Sequence, residues 1–159
     1  MEFFTIGVYN STEKEFFGKL TENRVDTFCD IRQRRGVRGA QYAFVNSTRL
    51  QMKLAQLGIK YEYVAGLATP VEIREIQYHA DHEKKELKRE RKSLAPEFIA
   101  AYKAKVLNTF DFDVLIENLR QLNAKRIALF CVEEAAAACH RSIVAEKLSK
   151  DHGFAIINL

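Results

Sequence analysis

Between residues 131 and 142 the chain gathers two thiols, two carboxylates, an imidazole and a guanidinium: Cys131-Val-Glu133-Glu134, an alanine run, then Cys139-His140-Arg141-Ser142. A thiol beside an imidazole can serve as a nucleophile, because a neighbouring cation favours the thiolate. A guanidinium offers a planar fork of donors that suits the oxygens of a phosphate or carboxylate. Cys139 lies nearer the start of the predicted helix, where free backbone N–H groups favour negative charge, and is the better candidate for a lowered pKa. A competing expectation is that the helix-prone segment from Glu133 to Ala138 starts the helix earlier and leaves Cys139 as a core residue. Cys131, Cys139 and His140 also suit a soft metal ion. Paired Cys-x-x-Cys spacing is absent, however, and a fourth ligand would have to come from Cys29, His79, His82 or a distant acid, so the sequence predicts no metal and no other cofactor.

Such groups need elements to position them. Residues 126–131 form a short apolar run suited to a buried strand, and the apolar spacing after Ser142 is that of a helix covering a sheet, so the motif straddles a strand-to-helix turn. The same rhythm runs through the chain. Strands are expected at Phe3–Val8, Val25–Ile31, Ile59–Val64 and Phe154–Asn158. Between them, Thr12-x-x-Glu15 is a capping box, Leu50, Leu54 and Leu57 mark a helix that Gly58 closes, and Gly153 ends the last helix. Ser93 is expected to cap a helix with Pro96 in its first turn and Phe98, Tyr102 and Val106 on its buried face; Val114, Leu115, Leu119 and Leu122 mark another. This alternation predicts one three-layer α/β domain over residues 1–159, with a mainly parallel sheet of about five strands and helices on both faces. Residues 70–92 break the pattern with charges of alternating sign. They are expected to form a charged helical insertion, solvated and laced by i,i+4 pairs, with a mobile lid or a phosphate-contacting arm as the alternative.

Ligands of open α/β sheets collect beyond the carboxyl ends of the strands. That rule joins Gly7, Tyr9 and Asn10 after the first strand to Asp30, Arg32 and Arg34 after the second, and to Cys131 and Glu133 after the strand at 126–131. Four arginines fall within residues 32–38 with no acid among them, forming the most basic patch in the chain. The catalytic candidates are Cys139, His140, Glu133 and Asp30. The substrate-binding candidates are Arg32, Arg34, Arg141, Ser142, Gly7, Tyr9, Asn10 and Cys131. For Asp30 a structural pairing with Arg32 or Arg141 is equally consistent with the sequence.

Ala128-Leu-Phe-Cys131-Val-Glu133 with Cys139-His140-Arg141-Ser142, preceded by Thr5-Ile-Gly7 and Asp30-Ile-Arg32, resembles the domain-of-unknown-function family 488. Gly58-Ile-Lys-Tyr61 and Phe98-Ile-Ala-Ala-Tyr102 fit its middle. The resemblance implies an α/β domain of a prokaryotic cytoplasm and assigns no activity. The chain departs from the pattern in having Val132 where alanine is usual, and Arg34-Arg-Gly-Val-Arg-Gly39 where a proline-rich continuation is usual.

At 159 residues the chain is long enough to bury a core without disulfides. Its three cysteines, an odd number, read as reduced thiols, and no apolar run is long enough for a membrane span. A cytoplasmic location and no membrane partner are expected. The net charge of +4 admits an anionic partner. The leading expectation is an enzyme with an anion site for a phosphate-bearing substrate, a nucleotide or nucleic acid. The rival is a noncatalytic nucleic-acid-binding module in which Arg32 to Arg38 and Lys84 to Lys92 track the backbone. The sequence leaves enzyme status and oligomeric state open.

Overall fold

Short apolar runs with alternating side-chain direction build the sheet. In the computed structural model, which describes residues 1–159, β1 (Glu2–Ile6), β2 (Thr27–Asp30), β3 (Lys60–Tyr63), β4 (Arg126–Phe130) and β5 (Ala155–Asn158) form one sheet in the order β3-β2-β4-β1-β5. Every pairing is parallel, so the five-stranded parallel sheet expected from the sequence is what the chain forms. Six helices cover it: α1 (Glu13–Glu22), α2 (Ser47–Gln56), α3 (Val71–Glu83), α4 (Pro96–Tyr102), α5 (Phe112–Gln121) and α6 (His140–His152). Successive strand residues point to opposite faces. Phe3, Cys29, Ile127 and Leu129 enter one core with α3 to α6, while Phe4, Phe28, Ala128 and Phe130 enter the other with α1 and α2.

Local chemistry sets most boundaries. The Thr12–Glu15 capping box opens α1 with both of its reciprocal bonds, and Gly153, at φ 71°, closes α6. Pro96 takes the first position of α4, where its missing N–H costs nothing. The N-cap there is Ala95, and the expected cap Ser93 is exposed. Ala95 offers no capping side chain, and its own N–H donates to Gln77 Oε1 at 2.8 Å, tying the start of α4 to α3.

The charged stretch differs from its expectation. Helix α3 stops at Glu83, and Lys85 adopts a left-handed φ of 55°, so residues 84–92 are not helical. Its ion pairs do not run i,i+4 along a solvated face. Asp81 pairs with Arg91 at 2.8 Å, and both Arg91 and Lys88 reach Glu133 in the loop after β4. Burial is the physical reason: Arg91 and Asp81 leave water together, and each needs its partner there.

The topology also places the site. The chain leaves β1 and β2 over the face covered by α1 and α2, and leaves β4, which lies between them, over the opposite face through α6. Strands that diverge in this way leave a crevice at their carboxyl ends.

Candidate active site

The loop after β4 is fixed before it presents any reactive group. The Val132 carbonyl accepts from Val8 N at 3.1 Å and Tyr9 N at 3.0 Å, binding this loop to the one after β1. Gly7 permits the approach: a Cβ there would overlap the Glu133 carbonyl oxygen and stand 2.7 Å from its carbon. Arg141, fully buried, donates to the carbonyls of Glu133 and, at 2.7 Å, Glu134. Asn10 Nδ2 donates to Glu134 Oε2 at 2.6 Å. The alanine run forms its own short 3-10 turn, Ala136–Ala138, and does not start α6, whose N-cap is Cys139.

This scaffold brings both thiols to one imidazole. Cys131 Sγ and Cys139 Sγ each lie 3.8 Å from His140 Nδ1. His140 Nε2 faces the Ile31 carbonyl oxygen at 3.1 Å. A carbonyl can only accept, so Nε2 carries the proton, and in the neutral ring Nδ1 turns its lone pair toward the sulfurs. Cys131 Sγ also donates to Glu133 Oε2 at 3.3 Å. Burial opposes ionisation of Cys139, yet its hydrogen bond with Cys131 and the adjacent His140 bring it down to about 6. The same bond, followed by burial, holds Cys131 well above the ordinary thiol value. The two thiols therefore share one negative charge. Burial disfavours the imidazolium of His140, but the neighbouring Cys139 thiolate outweighs it and raises the pKa. Glu133 is likewise buried, and Lys88 and Arg91 overcome that penalty and hold its carboxyl at about 2.

Above these groups opens a cavity of about 510 Å3, lined by Cys131, Glu133 and His140 together with Tyr9, Arg32, Arg34, Arg38, Thr69, Arg74, Lys88 and Arg91. Arg32 is held by a fork-to-fork pair with Asp30, Nε to Oδ1 at 2.8 Å and Nη2 to Oδ2 at 2.7 Å. Asp30 accepts further bonds from the Arg32 backbone N–H at 3.1 Å and from Tyr61 Oη at 2.9 Å. The remaining guanidinium nitrogen, Arg32 Nη1, is buried with no partner, as are Arg74 Nε and Thr69 Oγ1. Buried donors are almost always satisfied. Four such atoms lack a partner: Arg141 Nε lies in the loop scaffold, and the residues that bear the other three line one cavity.

Of the residues expected from the sequence to form the site, Tyr9, Arg32, Arg34, Cys131, Glu133 and His140 line this cavity. Asp30 lies behind Arg32 with its oxygens occupied, and Cys139, 1% exposed, lies behind Cys131 and His140. Arg141, Gly7 and Asn10 build the loop. Ser142 Oγ donates back to the Cys139 carbonyl and lines a different depression. Thr69, Arg74, Lys88 and Arg91 were not among the expected site residues. Lys88 and Arg91 come from residues 84–92, the segment for which an arm reaching the site was the lesser alternative, and there they pair with Glu133 and Asp81; Thr69 and Arg74 carry no distinguishing local signal.

A family model described as "Domain of unknown function DUF488" matches residues 12–148. Neither a curated protein nor a solved structure matches the chain.

Proposed function

This chain belongs to the DUF488 family, and from the cavity at its carboxyl edge we propose that it is an enzyme acting on a phosphate-bearing substrate, a nucleotide or nucleic acid. The observation that carries the reading is that three of the four buried donors left without partners, Arg32 Nη1, Arg74 Nε and Thr69 Oγ1, belong to residues lining the cavity above a thiol, an imidazole and a carboxylate. Two guanidinium donors and a hydroxyl suit an anion with several acceptor oxygens. Arg34 and Arg38, exposed at the rim, add positive charge that draws such an anion in. Cys131, His140 and Glu133 then stand at the reacting end, with Cys139 behind them, and Asp30 acts as a positioning residue that aims Arg32.

Calorimetry with inorganic phosphate and with nucleoside monophosphates tests this reading. Arg32→Lys should weaken binding by at least about tenfold, because an ammonium cannot bond both Asp30 oxygens and the ligand through one planar fork. Thr69→Val should weaken it by a smaller factor. Affinity for a single-stranded oligonucleotide that ignores both substitutions and falls steeply with salt would instead identify a noncatalytic module that tracks the nucleic-acid backbone, and would overturn the enzymatic reading.

A further inference from the structure

We propose that Cys131, Cys139 and His140 form a binding site for a soft tetrahedral metal ion, zinc, with the fourth coordination position open to the cavity. The inference goes beyond the proposed function and does not depend on it, because the three donors are assembled whether or not the cavity takes a phosphate.

Geometry is the first support. Both sulfurs lie 3.8 Å from His140 Nδ1, and all three donor atoms fall within 4.8 Å of one another. With Zn–S about 2.3 Å and Zn–N about 2.0–2.1 Å at tetrahedral angles, the sulfur–nitrogen edge is about 3.6 Å and the sulfur–sulfur edge about 3.8 Å. The observed S···N separations need to close by only about 0.2 Å to match the sulfur–nitrogen edges of that tetrahedron, and the sulfur–sulfur separation, within 4.8 Å, by at most about 1 Å.

The second support is orientation. An imidazole that binds a metal through one nitrogen generally donates its other N–H to a carbonyl or carboxylate, which fixes the tautomer and aims the lone pair. His140 does this through Nε2 and the Ile31 carbonyl at 3.1 Å. Chemistry supplies the third: two thiolates and an imidazole are a soft donor set that selects zinc over magnesium or calcium. All three ligands are buried, yet Cys131 and His140 line the cavity, so an ion held between them and Cys139 meets the cavity on one side. Glu133 Oε2 stands beside that side, 3.3 Å from Cys131 Sγ, while its other oxygen is engaged by Arg91 and Lys88. Three protein ligands and an accessible fourth position are the arrangement of a catalytic zinc site, whereas a structural site is closed by four.

The sequence names this trio but argues against a metal, because Cys-x7-Cys-His lacks paired Cys-x-x-Cys spacing. The 3-10 turn at Ala136–Ala138 and the buried Arg141 fold the intervening residues back so that Cys139 returns beside Cys131.

The test uses the whole chain, reduced and freed of metal, titrated with Co2+ and then Zn2+. One equivalent of cobalt should give a sulfur-to-cobalt charge-transfer band and tetrahedral visible bands, and one equivalent of zinc should abolish them. Cys139→Ser should halve the charge-transfer intensity. His140→Gln should weaken zinc by more than the about 10–100-fold that loss of an outer-shell partner costs. Cys29→Ser, altered on β2 outside the trio, should leave the spectra unchanged. Absence of stoichiometric cobalt uptake, or a charge-transfer band of undiminished intensity in both Cys131→Ser and Cys139→Ser, overturns the site. If a variant fails to fold, X-ray absorption on the zinc-loaded unsubstituted protein decides the matter: two sulfurs and one nitrogen support the assignment, and a shell of oxygen and nitrogen alone refutes it.

Discussion

Replacing Arg91 by Met removes the cation that fastens residues 84–92 to the loop after β4. In the folded protein its guanidinium reaches Asp81 at 2.8 Å, Glu133 at 3.0 Å and the Ala138 carbonyl twice, at 3.1 and 2.9 Å. After the change Asp81 keeps only the Gln77 amide at 2.6 Å, and Glu133 keeps Lys88 at 3.3 Å, a half-exposed side chain. Removing one partner of a buried ion pair costs about 3–5 kcal/mol, and the Ala138 carbonyl adds about 1–3 kcal/mol if water does not replace the donor. Retention of Lys88 and Gln77 sets the expectation at the lower end, about 3–4 kcal/mol in all. With a urea slope of about 2 kcal/mol/M, the unfolding midpoint should fall by roughly 1.5–2 M at pH 7. The double variant Asp81→Asn, Arg91→Met should recover part of the loss, since the uncompensated carboxylate disappears with its partner. A loss below about 1 kcal/mol at unchanged slope would refute the reasoning, because it would mean that Asp81 and Glu133 tolerate burial without Arg91.

Gly7→Ala should keep the far-ultraviolet circular dichroism of the fold yet lose both phosphate and cobalt binding, since the new methyl displaces the Glu133 carbonyl; titrations matching those of the unsubstituted protein would show that the loop has room to move. Tyr61→Phe frees one bond to Asp30 and should cost about 1 kcal/mol in urea unfolding, with phosphate affinity reduced only a few-fold because the Arg32 fork stays in place. Thr12→Ala removes the cap of α1 and should cost about 1 kcal/mol with no change in either binding titration, a control for stability loss remote from the cavity.

Elements were legible in the sequence where local chemistry defines them. The Thr12 cap, the Gly58 and Gly153 stops and the β-rich apolar runs each act within a few residues, and the strands and five of the helices fall where those signals lie. The charged segment is helical over 71–83, as expected, but not over 84–92, because alternating sign does not reveal that Asp81 and Arg91 are buried as a pair, a property of tertiary packing. The site was legible to the extent that strand ends converge. Arg32, Cys131, Glu133 and His140 reach the cavity because each follows a central strand or the turn after it. Arg141 was a poor guide, since a buried guanidinium serves backbone carbonyls as readily as phosphate oxygens. Thr69 and Arg74 gave no signal: Thr69 reaches the wall from the end of the β3–α3 connection and Arg74 from the first turn of α3, and neither carries a motif.

The place of β1 bears on how the protein folds. Its residue Glu2 pairs with both Arg126 and Ala155, and the Thr5 hydroxyl bonds to Asn158 at 2.7 Å, so the first strand is clamped between the last two. Contacts this distant along the chain carry a large loop-closure cost before any burial compensates it, which argues for slow, late assembly of the central strands. The loop that bears Cys131 hangs on Val8 and Tyr9, immediately after β1. A partly folded chain lacking this docking therefore has no cavity floor. Any ligand held there would bind only the fully assembled protein, and its stabilisation would appear as slower global unfolding, with proteolytic nicking in bursts of complete opening and not at a frayed end.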